Sequence, residues 1–523
     1  MSDASRGDAP PTAPTPPSWA AQAEPDPRRW WGLVVIALAQ LMVVLDATIV
    51  NIALPSAQRA LDMSDANRQW VITAYTLAFG GLLLLGGRIA DLVGRKRTFI
   101  IGLIGFAIAS GLGGAATSSW QLFGARALQG AFGALLAPSA LSLLTTTFTI
   151  GKERSKAFGI YGAIAGGGAA IGLIMGGLLT EYLSWRWCLY VNIPVAAIAL
   201  LGALVFLHDR ADRGGVHLDI PGAVLGCGGL VAIVYGCGEA QPRGWGDPLV
   251  IGTLVGGVLL LVLFTWWQTR ARHPLLPLHI VRERNRAGSF LTMGLALMAL
   301  FGMFLFMTYY LQVVLGYSPL KTGLAFLPMT AAIIVGSTQI SARLLHRLAP
   351  RLLMAPGAVL AAIGLFLLTF LTAEPAYVSH VLPAELLVGL GMGLIFMPVM
   401  ATATAGVAFH DSGVTSATVN TAQQVGGSIG TALLNTIATS TSAVYIGSHL
   451  ADAARRNAGR LTPALRDGVV KDGVVHGFTV AIGVASAIML LAAVISWLMV
   501  TARAPQHGPL PESGSPKPTD APV

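Results

Sequence analysis

Charge is the first thing that this sequence lacks. Of the 523 residues, 11% are Asp, Glu, Lys or Arg, whereas 54% are hydrophobic. About a quarter of the residues of a typical soluble domain are charged. The composition therefore excludes an ordinary soluble globular protein and indicates an integral membrane protein.

Cysteine and nucleotide-binding patterns are scarce too. The three cysteines, Cys188, Cys227 and Cys237, lie in apolar stretches. Their odd number argues against a disulfide framework, and their spacing matches no usual metal site. The pair Gly151-Lys152 lacks a P-loop pattern, and the glycines of "GLGMGLIF" lie in an apolar run without strand context. We expect neither a metal nor a cofactor, and no ATP hydrolysis.

What the sequence has is long apolar runs, each close to the roughly 20 residues that a membrane helix needs. They are separated by short polar loops, and tails rich in Pro, Ala, Ser and Asp flank them. The first run follows a long Pro-rich tail and precedes many other runs, which argues against a cleaved signal peptide. Fourteen spans are predicted, near 30–54, 70–89, 98–117, 120–147, 158–180, 188–207, 219–238, 248–268, 289–312, 323–342, 352–373, 380–403, 414–439 and 474–500.

This pattern predicts an all-α integral membrane protein arranged as six, two and six helices. The predicted units are a disordered tail, a six-helix bundle, two linker helices with their loops, a second six-helix bundle and a second disordered tail. In order they cover 1–29, 30–207, 208–288, 289–500 and 501–523.

Basic residues are distributed unevenly between the predicted loops. Of the 33 Lys and Arg residues, 22 fall in segments on the side of the N-terminus and 10 in loops on the other side. Because positive loops stay in the cytoplasm, both termini are predicted to be cytoplasmic. The basic 441–473 loop goes against this trend. The net charge of +9 is thus explained by topology, and no nucleic-acid partner is expected.

Asp46 interrupts the first span, "LVVIALAQLMVVLDATIVNIALP" (33–55). It lies about 24 Å from an entry point at Trp30, and Arg126 of the fourth, oppositely directed span lies about 9 Å from the outer face. The two side chains are therefore predicted to lie at similar depth. Charges inside a membrane are costly and usually functional, although a structural ion pair is an alternative explanation.

Several segments resemble signature motifs of the major facilitator superfamily: "LDATIVNIALP" (45–55), "GGRIADLVGRKR" (86–97) and "RALQGAFGA" (126–134). The predicted span count, "SWRWCLYVNIP" (184–194) and "YYLQVVLGYSPLKTGLAFLP" (309–328) resemble its fourteen-span drug:proton antiporter branch, the EmrB/QacA type.

The resemblance implies a bacterial cell-membrane exporter of amphipathic compounds that is driven by the proton gradient. Asp46 would carry the proton and Arg126 would modulate it, with Thr48, Asn51 and Gln129 as supporting polar groups. Exchange would proceed by alternating access of two bundles around a central cavity. A monomer is expected.

The loop between spans two and three matches the family's gating loop through Gly87, Asp91, Gly94, Arg95 and Lys96. Glycines there permit a tight turn and close helix approach. Asp91 is predicted to contribute to a latch between the bundles, while topology-setting charge is the alternative explanation for the basic residues.

Span five presents a face of small residues formed by Gly168, Gly172 and Gly176, with Gly177 next to it. Small residues four apart let membrane helices approach closely, so packing alone is an alternative to a role in antiport. The antiporter motif usually has a proline after the glycine that corresponds to Gly172. Here Leu173 takes its place, which leaves the expected kink open.

Polar and aromatic residues on apolar spans are candidates for a substrate cavity, although helix–helix hydrogen bonds explain each of them equally well. Glu385 is either a second coupling acid or an interfacial carboxylate. The candidates are Tyr75, Tyr309, Gln312, Glu385, Asn420, Gln423, Gln424 and Asn435.

Two other functions compete with export. The superfamily that the chain resembles also contains symporters, so proton-coupled uptake of a small metabolite is the nearest alternative. A membrane enzyme would need a convergent nucleophile, base or metal set at one depth, and the sequence offers none. We therefore expect a transporter and not an enzyme.

Overall fold

A computed structural model gives the architecture between residues 28 and 502. Within this range the described residues exclude 66, 149–150, 208–218, 273, 346, 373–376, 406, 408–411 and 457–461. The described residues form helices joined by turns, and no strand occurs among them. The predicted all-α class is confirmed.

The N-terminal bundle is the group of helices that pack together before residue 207. Its helices are α1 Arg29–Ala60, α2 Trp70–Val93, α3 Arg95–Gly114, α4 Ser119–Thr147, α5 Gly151–Tyr182, the short α6 Trp187–Tyr190 and α7 Asn192–Phe206. Three helices follow it, α8 Ile220–Arg243, α9 Pro248–Gln268 and the short α10 Leu278–Arg282.

The C-terminal bundle contains the remaining helices. They are α11 Arg284–Tyr309, α12 Pro319–Ala325, α13 Leu327–Val335, α14 Ala342–Leu344, α15 Arg351–Leu367, α16 Leu382–Thr404, α17 Ser412–Arg456 and α18 Pro463–Met499. Wider π-helical turns extend three of these helices, at Tyr310–Val314, Gly336–Ser341 and Tyr377–Val381.

Eleven helices among the described residues are long and apolar enough to cross a membrane, and Trp70–Leu83 and Ala170–Tyr182 are shorter apolar helices. The 45-residue α17 is more polar than these spans. The predicted number of fourteen spans and the predicted domain boundaries stay predictions.

Two bundles of packed helices define the architecture. In the N-terminal bundle α1 packs on α5 and α7, while α4 packs between α2 and α3. In the C-terminal bundle α11 packs on α16, α17 and α18, and α15 packs on α16 and α18. The hairpin of α8 and α9 contacts α2 and α17 through α8. Many large apolar side chains of α9 point outward, as expected of a surface that faces lipid.

Polar side chains fix where several helices begin. Ser118 accepts a hydrogen bond from the backbone N–H of Gln121 at the start of α4. Glu283 accepts the backbone N–H groups of Asn285 (3.0 Å) and Arg286 (2.8 Å) at the start of α11. Burial raises the pKa of Glu283, but these hydrogen bonds, the Asn285 side chain and the Arg286 charge outweigh it and hold the pKa below its ordinary value.

The two bundles touch along α2 and α17. A further set of side chains joins them at one end, which we call the 61–69 end because it carries the turn between α1 and α2. Gln312 Nε2 donates to the carbonyl of Ile52 (2.9 Å), and the hydroxyl of Tyr309 donates to Gln58. Arg68 Nε donates to Asn435 Oδ1 (3.4 Å). These contacts close this end of the structure.

A second set of contacts at the 61–69 end joins α5 to α12. Glu181 Oε2 accepts the backbone N–H of Leu320 (3.0 Å). A Cβ built on Gly177 would lie 2.6 Å from Leu320 Cα, and one built on Gly323 would lie 2.4 Å from the carbonyl oxygen of Leu173. The backbones of α5 and α12 are therefore in direct contact, and α12 is the part of the C-terminal bundle that seals against α5.

Candidate functional site

An ion pair between Asp46 and Arg126 lies at the centre of the N-terminal bundle. Arg126 Nη1 donates to Asp46 Oδ2 at 2.6 Å, and the two side chains are 1% and 0% exposed. The sequence predicted that both groups lie at one depth, and the structure places them in direct contact. Because a buried charge without a partner is strongly destabilising, each of these residues depends on the other.

Three neutral groups complete the site. Gln129 Nε2 and Asn192 Nδ2 donate to Asp46 Oδ1 at 3.0 and 2.8 Å. Both amides also contact Ser110 Oγ, at 2.7 and 3.3 Å. Asp46 thus accepts one hydrogen bond on Oδ2 and two on Oδ1. Every partner is a donor, so this geometry fits the ionised carboxylate.

Residues of α2 and α4 hold the rest of the Arg126 guanidinium. Its Nε donates to the carbonyl of Val71 (3.0 Å), and its Nη1 also donates to Gln129 Oε1 (2.9 Å). Its Cζ lies 4.3 Å from the centre of the Tyr75 ring, a cation–π contact. Tyr75, which the sequence analysis proposed for the substrate cavity, therefore belongs to the charged site instead. Its buried hydroxyl makes no hydrogen bond with the described residues.

Helices α1, α3, α4 and α7 therefore converge on one carboxylate. Ser110 and Asn192 were not predicted from the sequence. Asn192 lies inside the segment "SWRWCLYVNIP" (184–194), so the motif itself was the signal that could have identified it. Ser110 is an isolated polar residue in an apolar helix, and no sequence pattern distinguishes it from other serines.

Neither Thr48 nor Asn51 forms a hydrogen bond with Asp46 in the described structure. Thr48 Oγ1 donates to the carbonyls of Val44 and Leu45 (3.1 Å each), and Asn51 Nδ2 donates to that of Ala47 (3.3 Å). Both side chains thus bond to their own helix. Residues two apart on a helix do not face each other, which explains why Thr48 does not bond to Asp46. Their supporting role stays a prediction.

The glycines of α5 face two different helices. Cβ atoms built on Gly168, Gly172 and Gly176 would lie 3.1 Å from Val44 Cγ1, 1.9 Å from Thr48 Oγ1 and 2.9 Å from the Ile49 carbonyl oxygen. These three glycines therefore let α1 pack closely on α5. Gly177 faces α12 of the C-terminal bundle. Helix α5 runs through Leu173 without interruption.

The predicted gating loop is a sharp junction between α2 and α3. Gly94 has φ 106° and ψ 138°, a conformation that favours glycine. A Cβ on Gly87 would make only an ordinary contact, at 3.7 Å from Pro138, so close approach does not require glycine there. Lys96 Nζ donates to the Leu204 carbonyl (3.1 Å). Arg95 also has a partner, while the side chain of Asp91 lies outside the described residues.

The substrate candidates do not converge on one surface. Tyr309 and Gln312 join the bundles at the 61–69 end, and Asn435 donates to the Asp65 carbonyl there (3.1 Å). Arg68 stacks on the Tyr309 ring, with Cζ 3.9 Å from its centre. These side chains form a plug between the bundles.

A second group of candidates lies on α17. Asn420, Gln423 and Gln424 are half-buried, and their spacing places them on one face of the helix. A Cβ on Gly80 of α2 would lie 2.6 Å from Gln424 Cβ, so this face packs against the N-terminal bundle. The buried Oε1 of Gln424 has no hydrogen-bond partner among the described residues. Glu385 lies apart from both groups, in α16, and is fully buried.

Comparisons with known proteins agree with this architecture. The puromycin resistance protein of Streptomyces alboniger is 57% identical over 486 residues, which are 92% of this chain and 94% of that protein. The cephamycin export protein of Amycolatopsis lactamdurans is 39% identical over 427 residues, 80% and 88% of the two chains. A bacterial homolog of the human lysosomal transporter Spinster, solved inward-facing and unoccupied, shares the fold with a TM-score of 0.59 at 18% identity, covering 90% of this chain and 98% of its own.

The family comparison covers most of the transmembrane region. The Major Facilitator Superfamily model matches residues 36–431. In the described part of the chain, eleven helices long and apolar enough to cross a membrane agree with a multi-pass membrane protein. The chain therefore belongs to the major facilitator superfamily, whose members are membrane transporters and not enzymes.

Proposed function

We propose that the chain is a proton-coupled secondary exporter of hydrophobic or amphipathic compounds, antibiotics among them, of the fourteen-span EmrB/QacA type. The observation that carries the proposal is the Asp46–Arg126 pair, fully buried and surrounded by hydrogen-bond donors. The names of the two relatives, which refer to puromycin resistance and cephamycin export, support an antibiotic-like substrate.

The pair supplies a reason for coupling. With three donors on it, the ionised Asp46 is stable in this conformation, which is closed at the 61–69 end. A proton on Asp46 would remove the negative charge that attracts Arg126. It would also convert an acceptor oxygen into a hydroxyl donor that faces other donors. Protonation therefore favours a different arrangement of α1 and α4, and the conformation described here is the one that has released its proton.

Exchange follows from this difference. The substrate enters from the side opposite the 61–69 end while Asp46 is ionised, and it leaves after the 61–69 end opens. A proton then binds Asp46 through the opened 61–69 end, and the return of the bundles carries it across. The proton gradient is the only energy source, so no cofactor is required.

The proposed setting is the cell membrane of a bacterium, with the chain as a monomer in lipid. The 61–69 end faces outward and both termini face the cytoplasm. The excess of Lys and Arg in segments on the opposite side from residues 61–69 supports this orientation.

Accumulation in cells tests the proposal. A susceptible bacterial host expressing the chain is loaded with puromycin or a fluorescent cationic dye, with and without an uncoupler. We expect lower accumulation than in cells without the chain, and the uncoupler removes the difference. An uptake symporter gives the opposite result, because the uncoupler then lowers accumulation. Equal accumulation with and without the chain, for both compounds and antibiotics related to them, contradicts export.

A further inference from the structure

Glu385 is a second buried acid that the proposed mechanism does not use. It lies in the first turn of α16 and is 0% exposed. Its Oε1 has no hydrogen-bond partner among the described residues, and its Oε2 lies 3.3 Å from the hydroxyl of Tyr377. In the described part of the chain no Lys or Arg forms an ion pair with it.

The contact with Tyr377 indicates where the protons are. The Tyr377 hydroxyl has one hydrogen, and two oxygens lie near it: the Ala325 carbonyl at 2.6 Å and Glu385 Oε2 at 3.3 Å. The carbonyl can only accept, and it is the closer of the two. With the tyrosine hydrogen on Ala325, a hydrogen bond between Tyr377 and Glu385 requires Glu385 to be the donor. A protonated Glu385 would complete a chain of hydrogen bonds from Glu385 to Tyr377 to Ala325.

The alternative, an ionised Glu385, is much less favourable. It would leave a fully buried negative charge with one long hydrogen bond and an oxygen without any partner. Of the titratable groups in the described elements packed against α16, Tyr377 is the one that forms a hydrogen bond with Glu385. Beyond it, the Tyr317 ring lies 6.4 Å from that of Tyr377 and Lys321 Nζ lies 3.8 Å from the Tyr317 ring centre, while the exposed His380 contacts Ser379.

The proton on Glu385 is linked to the seal between the bundles. Ala325 is the last residue of α12, the helix whose Leu320 and Gly323 contact α5. An ionised Glu385 would draw the Tyr377 hydrogen away from Ala325 and release the end of α12. We infer that Glu385 is a proton-binding latch that must be occupied before α12 closes on α5.

The side of the membrane on which this latch acts rests on the proposed function, in which the α5–α12 seal faces outward. When α12 separates from α5, Glu385 loses its proton to water in the outer vestibule and becomes a carboxylate. It takes a proton back from the same side before closure. The latch therefore adds a dependence on external pH without changing the number of protons exchanged per substrate molecule.

Two measurements that need no substrate test the latch. Infrared difference spectra of the purified full chain at neutral pH are compared for wild type and E385Q. We expect the wild type to show a carbonyl band of a protonated carboxylic acid that E385Q lacks. D452N is the matched control, since Asp452 is 54% exposed, and it keeps the band. If E385Q and wild type have the same band, Glu385 is ionised and the inference is overturned.

The second measurement follows the seal itself. Spin labels replace Leu178 of α5 and Leu324 of α12 in a background without native cysteines. In the wild type we expect the distance between the labels to lengthen as the pH rises. In E385Q we expect this distance to stay short, because the amide can still donate to Tyr377. Y377F keeps the acid but loses the link to Ala325, so its label distance should be longer than that of the closed wild type and should not respond to pH. A wild-type pH response in E385Q or an unchanged Y377F overturns the latch.

Transport separates this inference from the proposed function. E385Q should lose the dependence of export on external pH while its proton:substrate ratio stays that of the wild type. If the wild type exports none of the tested compounds, the proposed function fails, but the infrared and spin-label results still decide whether Glu385 is a proton-binding latch.

Discussion

Replacing Asp46 by asparagine is the most direct test of coupling. The substitution removes the negative charge and preserves the size of the side chain. Gln129 and Asn192 remain beside it, and Arg126 keeps its hydrogen bonds to the Val71 and Gln129 oxygens. Breaking a buried ion pair by removing one charge costs about 3–5 kcal/mol. Because Arg126 retains these acceptors, we expect a loss at the lower end, about 3 kcal/mol.

The functional consequence concerns the substrate gradient and is separate from the loss of stability. One pH unit corresponds to about 1.36 kcal/mol per proton, so one-for-one exchange lets it maintain roughly a tenfold substrate gradient. D46N cannot bind and release a proton at this position. We therefore expect its substrate gradient to collapse to about onefold, while exchange of internal for external substrate continues.

The assay uses proteoliposomes containing the full chain, with the membrane potential clamped and a pH difference imposed. Substrate accumulation and substrate exchange are measured in the same preparation. D62N is the matched control, because Asp62 is exposed and has φ 48°, a conformation that asparagine tolerates. It should behave as the wild type does.

A sustained tenfold gradient in D46N would refute the reasoning, since the carboxylate would then be a structural partner of Arg126 only. Loss of both accumulation and exchange, with a normal melting temperature, would also count against it. In that case Asp46 would be required for substrate binding or for the conformational change itself, not for proton coupling.

Three further predictions concern the surroundings of the site and the caps. N192A removes a donor to the Asp46 carboxylate and should lower the free energy of unfolding by about 1.5–3 kcal/mol. In a double-mutant cycle, the same substitution should cost less in a D46N background. G172A places a methyl group against α1 and should lower the free energy of unfolding by about 1–3 kcal/mol, measured as a lower melting temperature. G252A, with open space around the added methyl group, should be neutral or slightly stabilising. E283Q should lower the free energy of unfolding by about 1 kcal/mol at neutral pH. The difference from wild type should vanish in thermal melts at acid pH. The stability that the lowered pKa of Glu283 contributes is lost as the pH falls through that pKa.

The depth of Asp46 and Arg126 could be predicted because the rise of a helix converts residue number into distance. Two oppositely directed spans then place their only charges at one level. The identity of the other partners could not be predicted in this way, because Asn192 and Ser110 belong to helices whose rotation is set by packing. The absence of a hydrogen bond between Thr48 and Asp46 was predictable, since the helical turn points Thr48 away from Asp46.

The environment of Glu385 illustrates a limit of the sequence. Its predicted position near the outer side of its span was compatible with an interfacial carboxylate. In the structure Tyr377, in the π-helical turn that extends α16, lies against its carboxyl group, and Glu385 is 0% exposed. A local sequence pattern reports the depth of a residue along a span but not which neighbours bury it, so this burial required the tertiary structure.

Helix α5 links the proton site to the seal, and the position of its glycines explains how. Gly168, Gly172 and Gly176 fix α5 to α1, the helix that carries Asp46, while Gly177 lies about 100° further around the helix and contacts α12. In the proposed mechanism, a movement of α1 that follows protonation would be passed to α12 by this continuous helix. The proline expected after Gly172 would divide the helix, whereas Leu173 keeps it continuous, and the Leu173 carbonyl lies at the contact with Gly323. The departure from the motif is thus compatible with the proposed antiport, in which an unbroken helix joins the two contacts.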